Sequence, residues 1–81
     1  MAYTKEQIVE HLHKALIELF EIEPERLVPQ AKLYEDLDVD SIDTIDLLIE
    51  LKALINADID AKTFSDAVTI DDVATIIHNI Q

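Results

Sequence analysis

Ser41, in the run Asp40-Ser41-Ile42-Asp43, carries the hydroxyl of this chain that is best placed for chemistry. A serine can be a nucleophile, a helix cap or the acceptor of a covalent group, and each use demands different neighbours. A hydrolytic triad would draw on His11, His13 or His78 and one of the carboxylates. A serine presented on a strand-to-helix elbow needs glycines around it, and the 81 residues contain none. His11 and His13 are two positions apart, about 200° on a helical wheel, so they cannot share a site. So short a chain also has little room for a walled cleft. The three histidines therefore read as surface or core-edge residues, and the chain is expected not to be an enzyme. A calcium loop is the sharper rival, because Asp36, Asp38 and Asp40 fall at its first, third and fifth positions. Its sixth position would be Ser41 where glycine belongs, and its twelfth Leu47 where a bidentate glutamate belongs. No specific metal site is expected, only loose association of Ca²⁺ or Mg²⁺ with the carboxylates. The chain has no cysteine, so any thiol it uses must come from a cofactor.

The elements that would hold Ser41 can be read from hydrophobic spacing. Thr4 and Gln7 form a T-x-x-Q capping box that starts a first helix. Its apolar stripe is Ile8, Leu12, Ala15, Leu16 and Leu19, and it is expected to end near Phe20. A long connection follows to about Val39. Pro24-Glu25-Arg26 can open one short helical turn there. Ile22, Leu27, Val28, Leu33, Tyr34 and Leu37 are expected to pin the connection to the core. Asp40 reads as the N-cap of a second helix over Ser41 to about Ile55, with Leu47, Leu48, Leu51, Leu54 and Ile55 inward. A short turn lies around Asp60 to Asp66, with Ile59 and Phe64 inward. The last helix starts after Thr69, capped through Asp72, and buries Ile70, Val73, Ala74, Ile77 and Ile80. No strand is expected.

A serine at a helix start is ordinarily just part of the cap, and the surroundings of Ser41 argue for more. Glu35, Asp36, Asp38, Asp40, Asp43, Asp46 and Glu50 fall in one segment that holds no basic residue. Ordinary solvated helix faces mix both signs three or four positions apart. A single-signed face repels itself and costs stability, which favours a role in recognition. Ile42, Ile45 and Ile49 flank it at spacings of three and four. Core is the alternative for these three, Ile45 above all; as a group they read as the apolar centre of a docking patch with an acidic rim.

Residues 33–48 read Leu-Tyr-Glu-Asp-Leu-Asp-Val-Asp-Ser-Ile-Asp-Thr-Ile-Asp-Leu-Leu. In this run the chain resembles the acyl carrier protein family. That family carries an Asp-Ser-Leu or Asp-Ser-Ile triplet at the start of its second helix, then an acidic residue and an apolar–acidic alternation. Asp40-Ser41-Ile42-Asp43 and Thr44-Ile45-Asp46-Leu47 match in order and spacing, and the helix order extends the resemblance over the whole chain. It implies an all-α fold, a small antiparallel bundle of three main helices plus one short helix, with residues 1–81 as a single acyl-carrier domain. It implies that a phosphopantetheinyl transferase attaches phosphopantetheine covalently to Ser41, beside Asp40. The carrier would then deliver acyl thioesters at high effective concentration to acyl-transfer and synthase enzymes with basic docking patches. A phosphodiester at Ser41 would lie at a helix N-terminus, which favours anions, but Asp40 and Asp43 oppose it. Those carboxylates read better as contacts for the basic groove of the transferase.

One departure from the family pattern narrows the reading. Glycine is usual two residues before the Asp of the triplet, and Asp38 stands there. The run Asp36 to Asp43 looks more like carriers of a specialised pathway, of polyketide or aryl-polyene type, than a housekeeping fatty-acid carrier. Peptidyl carriers usually have a Gly-Gly pair before the triplet, which is missing. An acidic helical adaptor or weak calcium-binding protein, without a covalent cofactor, is the alternative reading.

The formal net charge of −12, from 18 acidic and 6 basic residues, points the same way. Nucleic acid would repel such a surface, and so would an anionic membrane. The expected partners are basic protein surfaces met through salt-sensitive encounters. No signal-peptide pattern or membrane-length apolar run is present, so a soluble cytoplasmic monomer is expected.

Overall fold

The computed structural model describes residues 2–56 and 58–80. Four α-helices follow in order: α1 (Lys5–Phe20), α2 (Ser41–Ile55), α3 (Ala61–Ser65) and α4 (Ile70–Ile80), with a 3-10 turn at Pro24–Arg26. Among the described residues there is no strand, only an isolated bridge between Lys32 and Thr69.

Each helix begins on a side chain that satisfies its otherwise unpaired N–H groups. Thr4 Oγ1 accepts from the Gln7 N–H at 3.2 Å, and Gln7 Oε1 accepts from the Thr4 N–H at 3.0 Å. Asp40 accepts from the N–H groups of Ile42 and Asp43 at 3.0 and 2.8 Å, and Asp43 accepts from that of Asp40 at 3.4 Å. Asp60 caps α3 through the N–H of Lys62 at 3.1 Å. Thr69 and Asp72 cap α4 reciprocally, each bond 3.1 Å long, and Asp72 also accepts from the Val68 N–H at 3.0 Å. The backbone N–H of Thr69 first, then that of Val68, holds the Asp72 carboxyl below its ordinary value.

A chain without glycine must end its helices in other ways. Glu21 and Asn56, just past α1 and α2, take left-handed φ angles of 55° and 51°. Each does what glycine usually does at that place, at a cost of roughly 1 kcal/mol for its Cβ.

The core joins Ile8, Leu12 and Leu16 of α1 to Leu47, Leu48 and Leu51 of α2, Phe64 of α3, and Ile70, Val73, Ala74 and Ile77 of α4. The end of α1, at Phe20 and Glu21, lies beside Asp38, Val39 and Asp43 at the start of α2, so the two helices run antiparallel. Lys5 and Asp71 join the starts of α1 and α4 at 2.9 Å, an exposed pair worth about 1 kcal/mol or less. Four residues expected inside are exposed: Leu19, Val28, Tyr34 and Ile80. Leu19 and Ile80 lie on the apolar stripes but in the last turns of their helices. Ala15, Leu54 and Ile55 are half-buried.

The connection from Glu21 to Val39 is anchored by its own backbone as much as by Ile22, Leu27, Leu33 and Leu37. The Arg26 guanidinium donates to the Asp36 carbonyl, and the Lys32 N–H donates to the Asp36 carboxylate at 2.8 Å. The Leu33 N–H donates to the Val68 carbonyl, while Ile70 and Asp71 donate to the carbonyls of Ala31 and Pro29. The Val39 N–H returns to the Leu33 carbonyl at 2.8 Å, with Val39 itself buried. Asp38 makes the turn between them at φ 57°. This chain of contacts delivers Asp40 and Ser41 to the start of α2.

Candidate functional site

Ser41 is the first residue of α2, and its side chain is exposed. Asp40 supplies the cap, so the Ser41 hydroxyl is not consumed in starting the helix. The rest of the exposed surface of α2 follows from the 100° step of a helix. Thr44, Leu47, Leu48 and Leu51 face inward. Opposite them run Ile42, Ile45 and Ile49, which are 71%, 58% and 59% exposed. All three are surface residues; none, Ile45 included, belongs to the core.

The acidic residues flank this apolar stripe on one side. Asp46 and Glu50 are exposed, and Glu50 borders a cleft against His11, Lys14 and Glu18 of α1. Asp43 is half-buried and lies near the end of α1. Asp43 also closes the reciprocal cap with Asp40, so it holds the start of α2 as well as contributing charge. Ile45 faces the other way, into a groove shared with α3. The patch is therefore two adjoining stripes, apolar outward and acidic toward α1, rather than a hydrophobic centre ringed by carboxylates.

The groove between α2 and α3 opens at Ser41 and encloses about 400 Å³. Ile45, Leu48, Ala61 and Phe64 make most of its wall apolar, with Tyr34 and Thr44 at its margin. Neither Tyr34 nor Thr44 stands out as a site residue in the sequence. Thr44 is nevertheless the one polar side chain classed as buried among the described residues. Its hydroxyl donates to the Asp40 carbonyl at 2.9 Å and lies 3.3 Å from the Tyr34 hydroxyl. A threonine inside a helical motif, with its hydroxyl bound back to the preceding turn, is the only sequence signal that could have flagged it.

The residues of the rival readings are not assembled. His11 packs edge-on against Tyr3, with ring centroids 5.4 Å apart. No histidine lines the groove at Ser41. Asp36 and Asp40 direct carboxylate oxygens at backbone N–H groups. Among the described residues, no group of three or more acidic or histidine side chains could hold a metal ion. None of the described helices is long and apolar enough to cross a membrane.

The first residue of α2 thus offers its hydroxyl to solvent, beside an exposed apolar stripe and a run of carboxylates. The family profile of the phosphopantetheine attachment site matches residues 10–77. The chain belongs to that family, the acyl carrier proteins, which bear phosphopantetheine and perform no catalysis of their own. Acyl carrier protein 2 of Ralstonia nicotianae is 35% identical over 77 residues, covering 95% of each chain. The meromycolate extension acyl carrier protein of Mycobacterium leprae is 26% identical over 81 residues, all of this chain and 70% of that one. A solved acyl carrier protein from Enterococcus faecalis shares the fold with a TM-score of 0.81. That match covers 98% of this chain and 100% of the other at 22% identity, a likeness of fold alone.

Proposed function

We propose that Ser41 bears the phosphopantetheine arm as a phosphodiester, and that α2 is the face on which loading and elongating enzymes dock. The observation that carries this reading is the exposed Ser41 hydroxyl at the head of α2, left free because Asp40 does the capping. The arm supplies the thiol that the sequence lacks. A thioester on it lets the carrier present an acyl group at high local concentration to an enzyme held by the neighbouring surface. Ile42, Ile45 and Ile49 give that surface its apolar contact, and Asp46, Glu50 and Asp43 give it a charge that steers basic partners. A phosphopantetheinyl transferase is the first such partner, and acyl-transfer and synthase enzymes follow.

The pathway we favour is fatty-acid-like or polyketide and aryl-polyene-type synthesis. What supports a specialised role is Asp38 in place of the usual glycine, in a segment dense with carboxylates. The test is coexpression with a broad-specificity transferase, followed by intact-mass measurement. Wild-type chain should gain one arm. Ser41→Ala should gain none while keeping its helical content and melting temperature. An alanine variant that still acquires the arm would place the attachment elsewhere.

A further inference from the structure

Eighteen of the 81 residues are Asp or Glu, yet none of them lines the groove that opens at Ser41. The polar groups on its margin are hydroxyls and one ammonium, from Tyr34, Ser41, Thr44, Ser65 and Lys62. Lys62 makes no ion pair among the described residues. A margin rich in donors around an apolar wall suits an apolar occupant that carries an oxygen acceptor near its entrance.

Tyr34 is the donor with the least to hold it. The Thr44 hydroxyl has a single proton, which goes to the Asp40 carbonyl at 2.9 Å. In the 3.3 Å contact, the Tyr34 hydroxyl must therefore be the donor. Bonds between hydroxyls are normally about 2.7–2.8 Å long, so this one is weak. Tyr34 is 44% exposed and comes from the loop rather than from a packed helix. Its hydroxyl can turn from Thr44 to a better acceptor without breaking the Thr44–Asp40 bond.

We propose that Tyr34 is a specificity-determining residue that favours cargo with a keto or hydroxyl oxygen close to the thioester. This rests on Ser41 being the attachment site, and takes the arm to fold back along the protein so that the thioester lies at the groove's mouth and the tail inward. Plain saturated chains fill the apolar wall but offer the phenol no acceptor beyond the thioester carbonyl. Chains with an oxygen on the third carbon offer a second acceptor, as the intermediates of carbon–carbon condensation and reduction do.

The experiment loads the carrier with octanoyl, 3-oxooctanoyl or 3-hydroxyoctanoyl pantetheine arms, confirms each by intact mass, and compares melting temperatures. One additional hydrogen bond in a chain of this size should raise the melting temperature of both oxygenated forms over octanoyl by about 4 °C. Tyr34→Phe should abolish that difference, bringing the three forms to one melting temperature. Thr44→Val should preserve it, because Thr44 is only the resting partner of Tyr34. Equal melting of the three wild-type forms overturns the proposal, as does a difference that survives in Tyr34→Phe or disappears in Thr44→Val. Failure to load the arm at Ser41 shows up first, in the mass spectrum, and refutes the attachment reading instead.

Discussion

Asp38 holds a left-handed φ of 57° in the turn that leads into α2, and replacing it separates two sources of instability. A residue with a Cβ costs roughly 1–2 kcal/mol in that conformation. Asp recovers part of this only where its side chain bonds locally, and the Asp38 carboxylate makes no hydrogen bond among the described residues. Glycine removes the clash but gives back about 0.4–1 kcal/mol through the added freedom of the unfolded chain. The second source is charge. Asp36 and Asp40 stand two positions away on either side, and two like charges about 7 Å apart in water repel by roughly 0.6 kcal/mol before screening. Asp38→Gly should therefore stabilise the fold by about 1 kcal/mol, a rise of roughly 4–8 °C in melting temperature. Asp38→Asn and Asp38→Ala should both gain only the electrostatic part, because each keeps the Cβ clash that Asp38 already bears. Thermal melts followed by circular dichroism, at low salt and at about 1 M salt where charges are screened beyond roughly 3 Å, distinguish the two effects. The advantage of Asn over Asp should vanish in salt, and that of Gly over Ala should persist. If Gly and Ala variants melt together at high salt, the left-handed turn carries no strain and the argument fails.

Other perturbations test the acidic face and the caps. Raising ionic strength or adding Mg²⁺ should raise the wild-type melting temperature by about 5 °C, by relieving the repulsion among carboxylates between Glu35 and Glu50; a flat response would remove that repulsion from the account. Asp46→Lys combined with Glu50→Lys should slow loading by the transferase about tenfold at low salt, through association, and leave a rate that no longer depends on salt. Asp43 is left intact in that variant because it caps α2, and loading at the wild-type rate would exclude α2 as the docking face. Ile49→Ala should weaken the docked complex with little change in the salt dependence, since it removes apolar contact and adds no charge; a large change in that dependence would count against the apolar role. Asp72→Asn should lower the melting temperature near neutral pH. The native carboxyl lies below its ordinary value, so its contribution is full above about pH 4 and is lost as pH falls through the native value. The deficit of the variant should close in acid, and a deficit that stays constant would refute the cap's electrostatic part.

The helix starts were legible because capping is local. Thr4 with Gln7, Asp40, and Thr69 with Asp72 each announce a start within four residues, and all three hold. The core stripes were legible wherever another element lies opposite. Leu19 and Ile80 keep the period but stand in final turns, and no spacing rule knows where the neighbouring element stops. Val28 and Tyr34 lie in a loop, which has no period to read, so their exposure and the burial of Ala31 and Val39 depend on tertiary contacts. Ser41 could be picked out from its neighbours. The groove beside it could not, since Tyr34 and Thr44 meet only when the loop folds against α2. The ends expected near Phe20 and Ile55 hold as well; the left-handed turns at Glu21 and Asn56 that close them were not legible, because the glycine that usually marks such turns is missing from the chain.

The bonds from Ile70 and Asp71 to the carbonyls of Ala31 and Pro29 mean that α4 begins on the loop's backbone, contributed from the other half of the chain. In folding, neither partner can settle alone: the loop lacks acceptors' partners until α4 arrives, and the first turn of α4 frays until the loop is in place. The amides of Leu33, Ile70 and Asp71 should thus open and exchange with solvent together, as one cooperative unit rather than as loop and helix separately. That unit also sets the path to Asp40. A local opening far from Ser41 in sequence should therefore loosen the start of α2, and with it the face proposed for docking.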